Sequence, residues 1–82
     1  MKISLYEYNL LPEDEKSQMI WDHGTFITNK ADDFKAVNLF SLSSFYVEIW
    51  YDRVNNKITQ IRSFNSFKQL SPNFHDMVVV LS

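Results

Sequence analysis

The chain has 82 residues, a formal net charge of −2 and no cysteine. This length predicts one domain, residues 1–82, and a content of 45% hydrophobic and 16% aromatic residues predicts a packed core rather than intrinsic disorder. Without cysteine, disulfides and thiolate zinc sites are excluded. The acidic balance and the scattered basic residues argue against nucleic acid as a partner, because its binding depends on clustered Lys and Arg.

The sequence gives no sign of export or membrane insertion. Residues 1–10 contain no long apolar run, so we expect no signal peptide. No window approaches the ~20 apolar residues that a membrane-spanning helix needs. We therefore expect a cytoplasmic protein with no membrane partner.

The first third of the chain predicts a strand, a helix and a second strand. Lys2–Tyr8 alternates weakly between apolar and polar residues, which indicates a strand. A proline followed by three acidic residues marks a helix start, so we predict a helix over Pro12–Asp22. Gly24 is expected to close this helix in a left-handed conformation. Thr25–Asn29 follows as a short strand.

The middle of the chain predicts an antiparallel meander. Lys30–Asp33 is polar and reads as a turn, and Phe34–Leu42 is rich in apolar residues and reads as a strand. Phe45–Phe64 predicts a β-hairpin with Asn55 and Asn56 at its tip, because asparagine tolerates positive φ.

The last segment predicts a short turn and then a helix. Ser66 is expected to cap a turn over Phe67–Leu70, and Ser71–Pro72 repeats the pattern of a helix start. The β-branched run Val78–Val80 disfavours a helix, so a strand is the alternative. The apolar residues of this segment recur at helical spacing: Leu70, Phe74, Met77, Val78 and Leu81.

Together these elements predict an α+β domain of two layers in the order β-α-β-β-β-β-α. The short connections indicate an antiparallel meander sheet of four to five strands. Both helices are expected to pack on one face of the sheet and to leave the other face in contact with water.

The loop of the hairpin decides which of its side chains are buried. A loop of two or four residues would pair Trp50 with Ile61, and Arg53 with Ile58. A loop of three residues would pair Trp50 with Arg62, and Tyr51 with Ile61. We predict the three-residue loop because it separates apolar from polar side chains more cleanly. One face then carries Phe45, Val47, Ile49, Tyr51 and Ile61, and the other carries Tyr46, Glu48, Trp50, Asp52, Gln60 and Arg62.

No pattern in the sequence predicts a catalytic residue, a cofactor or a metal ligand. His23 and His75 each adjoin an aspartate, and neighbouring helical residues point in different directions, so no metal site is predicted. Glu48 and Asp52 lie roughly 13 Å apart along one strand, too far to act on one bond. A single glycine excludes a glycine-rich phosphate loop. We therefore predict that the chain is not an enzyme and has no evident small-molecule ligand.

The candidate binding residues are Tyr46, Glu48, Trp50 and Arg62, on the face of the hairpin predicted to be exposed. Arg62 could stack on Trp50 or pair with Glu48. Exposed Trp, Tyr and Arg are enriched at protein–protein hot spots. The competing interpretation is ordinary cross-strand stabilisation, or cover by the tyrosines of the predicted first strand.

We predict a small non-catalytic protein-interaction domain that binds another protein or a second copy of itself. An open antiparallel sheet with an aromatic face would gain stability by pairing in so small a domain. The alternative is a nucleic-acid-associated regulator, antitoxin-like or a mobile-element accessory protein, in which Tyr46 and Trp50 stack bases beside Arg62.

Three segments give the chain a resemblance to small uncharacterised bacterial proteins of similar length. They are Leu5–Asn9, Trp21 before a strand, and Ser44–Glu48 leading into an aromatic strand. The resemblance implies a bacterial, cytosolic origin, and it carries over no functional residue.

Overall fold

A computed structural model describes residues 2–69 of the chain. Its strands form a four-stranded antiparallel sheet in the order β1-β2-β3-β4, which confirms the predicted α+β class and the meander. The elements are α1 (Leu5–Asn9), α2 (Glu13–His23), β1 (Thr25–Ala31), β2 (Lys35–Leu42), β3 (Phe45–Asp52), β4 (Lys57–Phe64) and a 3-10 turn (Phe67–Gln69).

The N-terminal segment is a helix, so the predicted first strand is wrong. The Ser4 hydroxyl accepts a hydrogen bond from the backbone N–H of Glu7 at 3.0 Å, and the Glu7 carboxylate accepts one from the backbone N–H of Ser4 at 3.0 Å. This reciprocal capping box satisfies two backbone donors that a helix start leaves unpaired. These local bonds outweigh the weak alternation of side chains.

Helix α2 occupies the predicted segment, with Pro12 at its N-cap and Gly24 after its last turn. Gly24 has φ −76° and ψ 152°, so the predicted left-handed conformation is wrong. The close approach of the backbone explains the glycine instead, because a Cβ at this position would lie 2.7 Å from the carbonyl oxygen of Ile20.

Both helices pack on one face of the sheet, which we call the helix face. The buried Tyr8 links them, since its hydroxyl donates to the carbonyl of Lys16 at 3.0 Å and its ring centroid lies 5.4 Å from that of Phe45. Burial raises the pKa of Tyr8. The buried residues of this core are Tyr8, Ile20, Phe40, Leu42, Phe45, Val47 and Ile49.

The other side of the sheet, which we call the second face, is buried as well. Val37, Leu39 and Phe64 expose 1%, 0% and 2% of their surface, and Glu48 exposes 0%. The prediction of a face in contact with water is therefore wrong. The two central strands, β2 and β3, alternate between two buried faces, which accounts for their high apolar content.

The hairpin loop between β3 and β4 has four residues, 53–56, so the predicted three-residue loop is wrong. Asn56 lies at its end with φ 55°, as expected for asparagine in a tight turn. A four-residue loop alone would shift every β4 side chain to the opposite face of the sheet.

A β-bulge at Thr59 compensates for the longer loop. Next to the loop Tyr51 pairs with Ile58, but beyond the bulge Trp50 pairs with Gln60. The extra residue restores the alternation. The predicted separation of the two faces is thus correct. The predicted pairs of Tyr51 with Ile61 and of Trp50 with Arg62 are wrong. In the structure Ile61 pairs with Ile49, and Arg62 pairs with Glu48.

The remaining boundaries differ little from the prediction. Strand β1 continues to Ala31, and β2 begins at Lys35. The predicted turn after Ser66 is present over Phe67–Gln69, and the backbone N–H of Lys68 donates to the Ser66 hydroxyl at 3.2 Å. The predicted C-terminal helix lies outside the described residues.

Replacing Gly24 with alanine should destabilise the protein. The added Cβ collides with a backbone oxygen, and such overpacking costs about 1–3 kcal/mol, more than the roughly 0.4–1 kcal/mol gained from a less flexible unfolded chain. Urea denaturation should show a lower free energy of unfolding for Gly24→Ala. The neighbouring exposed change His23→Ala is the control, and an unchanged stability of Gly24→Ala would contradict this packing.

The turns should weaken in acid. The Asp32 carboxylate accepts backbone hydrogen bonds from Lys35 and Phe34, and these bonds lower its pKa. Hydrogen bonds from the side chain and backbone of Asn55 lower the pKa of Asp52 in the same way. In the folded protein the pKa values of both aspartates lie below the ordinary 3.8. The ionised carboxylates therefore stabilise the fold fully above pH 3.8, and this stabilisation is lost as the pH falls through their pKa values in the folded protein.

A carboxyl NMR titration measures this directly. Both aspartates should titrate with midpoints below 3.8, the ordinary value. A midpoint at or above the ordinary value for Asp32 or Asp52 would contradict the hydrogen bonding described for that turn.

Candidate functional site

The structure brings all four predicted binding residues together on the second face. Tyr46, Glu48 and Trp50 occupy alternate positions of β3, and Arg62 faces Glu48 across the β3–β4 ladder. Alternate strand positions share a face, which is the signal that made this grouping predictable. Their role in binding stays a prediction.

Glu48 is the centre of the group, and its side chain is fully buried. Its Oε1 accepts a hydrogen bond from Arg62 Nη1 at 2.7 Å and another from Trp50 Nε1 at 3.2 Å. The predicted pairing of Glu48 with Arg62 is therefore confirmed as a salt bridge. A carboxylate removed from water needs such donors, and those to a charged partner are the strongest.

Arg62 extends from this buried carboxylate towards the edge of the face. Its side chain is 34% exposed, and its Nη2 donates to the backbone carbonyl of Gln69 at 2.8 Å. The guanidinium therefore joins the sheet to the 3-10 turn that follows β4. Both of its terminal nitrogens thus donate within the chain.

The rings on this face are paired differently from the prediction. The guanidinium carbon of Arg62 lies 5.7 Å from the centroid of Phe64, and it is Lys35 whose ammonium lies 5.6 Å from the centroid of Trp50. The ring centroids of Tyr46 and Phe64 are 6.2 Å apart. These contacts are the cross-strand stabilisation that competes with a binding role.

The first tyrosines of the chain do not cover this group. Tyr8 belongs to the core of the helix face, and Tyr6 is 73% exposed on α1. The predicted cover by tyrosines is wrong because their segment is a helix on the opposite side of the sheet.

A second cluster of aromatic residues, which the sequence did not reveal, lies at the outer edge of the sheet. Trp21 on α2 and Phe26 on β1 each lie edge-on to the ring of Phe40, with centroids 5.8 Å away. Trp21 remains 50% exposed and Phe26 56% exposed. We call these two residues, with Phe40 between them, the aromatic edge patch. Their closeness depends on how α2 lies over the sheet, and no periodicity in the sequence reports that.

Within residues 2–69, no group of three or more His, Asp or Glu side chains is placed to hold a metal ion. In the same range no helix is long and apolar enough to cross a membrane. His75 lies outside these residues.

Removing the arginine of the buried pair should cost more stability than removing an exposed arginine. Arg62→Met removes the salt bridge to the Glu48 carboxylate, and breaking a buried pair in this way costs about 3–5 kcal/mol. We expect about 2–3 kcal/mol, because partial exposure of Arg62 lets water reach the site and Trp50 still donates. Denaturant unfolding gives the value, with Arg53→Met in the hairpin loop as the control.

The double variant Glu48→Leu/Arg62→Met completes the test. With both charges removed, much of the lost stability should return. A stability of Arg62→Met equal to that of Arg53→Met would show that Glu48 does not depend on Arg62.

Comparison with known proteins gives no family assignment. The chain matches no family model, no curated protein and no solved structure. The resemblance to small bacterial proteins stays a prediction. Any functional inference therefore rests on the contacts, burial and charges of the chain itself.

Proposed function

We propose that this chain is a small non-catalytic protein-interaction domain that pairs with a second copy of itself along β1. The observation that supports this most is the aromatic edge patch, which exposes two large rings beside the outermost strand of the sheet. Phenylalanine and tryptophan are enriched at protein–protein interfaces, and tryptophan is enriched at their hot spots.

The outer edge of β1 is suited to pairing. In the sheet formed by residues 2–69, β1 is a terminal strand: it hydrogen-bonds to β2 on one side, and its other side carries backbone donors and acceptors that no strand of this sheet pairs. An added strand would satisfy these groups, as in recognition by β-strand addition. Five of the seven residues of β1 are exposed, so a partner strand would meet accessible backbone.

Self-pairing is favoured by symmetry and by charge. A two-fold axis beside β1 would place two copies of the same edge antiparallel and bring the two aromatic edge patches into one interface. Lys30 is the one charged residue of β1, so repulsion between two copies of the strand is small. The bulge between Phe26 and Thr28 interrupts regular pairing, which confines the interface to part of the strand.

The nucleic-acid alternative has less support. Arg62, the cation proposed to lie beside stacked bases, donates to Glu48 and Gln69. Trp50 is only partly exposed, and its indole N–H is bonded to Glu48. A bacterial origin and a cytoplasmic location remain parts of the proposal.

Removing the aromatic edge patch should weaken dimer formation without unfolding the protein. In Trp21→Ala/Phe26→Ala the loss of two rings from the proposed interface should raise the dissociation constant more than tenfold, about 1.4 kcal/mol. Sedimentation equilibrium over micromolar concentrations measures this constant. Tyr6→Ala, which removes an exposed ring from α1, is the control.

Two results would count against the proposal. One is a wild-type protein that stays monomeric throughout the concentration range. The other is a double variant that dimerises as tightly as the wild type and the Tyr6→Ala control. A salt-dependent mobility shift with single-stranded RNA would instead favour the nucleic-acid alternative.

A further inference from the structure

Asn29 is an unusual residue for the middle of an edge strand. Asparagine is depleted from β-strands, yet Asn29 lies inside β1 and is exposed. It pairs with Asn38 of β2, which in turn pairs with the core residue Ile49 of β3, so both asparagines lie on the helix face. Asn29 thus holds an amide at the edge of the sheet, where a second molecule can reach it.

The backbone groups of Asn29 point away from β2. In an antiparallel ladder, opposite residues alternate between pairs that exchange backbone hydrogen bonds and pairs that do not. The N–H of Asp32 donates to the carbonyl of Lys35 at 2.9 Å, so this pair, which continues the β1–β2 register, is of the first kind. By this alternation Lys30 also belongs to the first kind, whereas Ala31 and Asn29 belong to the second. Asn29 therefore presents its N–H and C=O at the outer edge of the sheet.

We infer that two copies of the chain pair antiparallel along β1 with their two-fold axis at Asn29, an inference that rests on the dimer proposed above. In this register the two Asn29 residues face each other and exchange two backbone hydrogen bonds. Their amides, each a donor and an acceptor, lie on the same side of the joined sheet and bond to each other. With Asn38 behind each of them, the dimer carries a row of four asparagines.

Charge separates this register from its neighbour along the strand. An axis at Lys30 would also use outward backbone groups, those of the two residues that flank Lys30. It would, however, set the two Lys30 side chains directly opposite each other, and like charges in that arrangement are destabilising. With the axis at Asn29, Lys30 faces the uncharged Thr28 of the second copy instead.

The bulge of β1 brings the aromatic edge patch into the same register. Its extra residue between Phe26 and Thr28 lets Phe26 stand level with Ala31 of the second copy. Both positions lie on the helix face, since Phe26 pairs with the core residue Phe40 and Ala31 lies two positions from Asn29. The small side chain of Ala31 leaves room for the exposed ring.

The amide of Asn29 also favours a second copy over a foreign strand. An amide that loses water and gains no hydrogen-bond partner is destabilising. A foreign strand with an apolar residue opposite Asn29 would leave the amide in that state, whereas a second copy supplies a matching amide. Asn29 is therefore a positioning residue that sets both the register and the choice of partner.

Disulfide cross-linking measures the register directly. The chain has no cysteine, so Asn29→Cys and Lys30→Cys each supply one thiol per copy. With the axis at Asn29, the two Cα atoms at that position lie about 5.5 Å apart, which suits a disulfide, whereas those at position 30 lie about 8 Å apart, beyond the ~7 Å limit. At equilibrium in a glutathione buffer, Asn29→Cys should form at least about tenfold more linked dimer than Lys30→Cys.

Two aspartate variants test the same axis without a covalent bond. Asn29→Asp sets two carboxylates directly opposite each other and should raise the dissociation constant about tenfold or more. Thr28→Asp adds the same charge one residue away, where it faces Lys30 of the second copy, and should not weaken the dimer. Sedimentation equilibrium at neutral pH and low salt compares both variants with the wild type, and circular dichroism checks that both are folded.

The outcomes separate the register from the dimer itself. Linkage through Asn29→Cys, with weakening by Asn29→Asp alone, supports the axis at Asn29. A wild-type dimer that links through Lys30→Cys, or equally through both positions or through neither, overturns this register and leaves the proposed function standing. The same holds for a dimer that Asn29→Asp leaves intact or that both aspartates weaken equally. A wild-type protein that stays monomeric overturns the register and the proposed function together.

Discussion

The Glu48 carboxylate points into the buried second face, and Arg62 on the neighbouring strand is its charged partner. A buried charge without a partner is among the costliest defects a small domain can carry. The pair therefore depends on the β3–β4 register, and that register depends on the bulge at Thr59. If β4 slipped by one residue, Glu48 would lose Arg62, and Ile61 would leave the core of the helix face.

Burial of both faces changes where a partner can bind. The sheet has helices on one side and a covered apolar cluster on the other, so its broad surfaces are used for stability. A domain of this length buries a smaller fraction of its surface than a larger one does, and burying side chains on both faces of the sheet is one way to stabilise it without disulfides. The contact that we propose is therefore at an edge of the sheet, and at the β1 edge Trp21 and Phe26 stay half-exposed.

The parts of this fold that could be predicted from sequence are those set by neighbours along the chain. Pro12 and the acids after it mark the start of α2, and alternation along β3 correctly assigns Glu48 and Trp50 to one face. The helix at Leu5–Asn9 also has a local signal, since Ser4 and Glu7 form the S-x-x-E signature of a capping box, whereas the weak alternation of the same segment points to a strand.

Other features depend on tertiary packing and had no local signal. The bulge at Thr59 is a property of two strands together, and the aromatic edge patch joins α2 to two strands across the fold. The burial of Glu48 reversed the expectation of an exposed carboxylate, since a glutamate in an alternating strand ordinarily faces water.

Hydrogen exchange of the two indole N–H groups tests the burial of the second face most directly. Trp50 Nε1 donates to a fully buried carboxylate, whereas Trp21 is half-exposed. The account predicts that the Trp50 indole proton exchanges much more slowly than that of Trp21, with protection that Arg62→Met reduces. Equally fast exchange of both indole protons in the wild-type protein would contradict the buried Glu48 network.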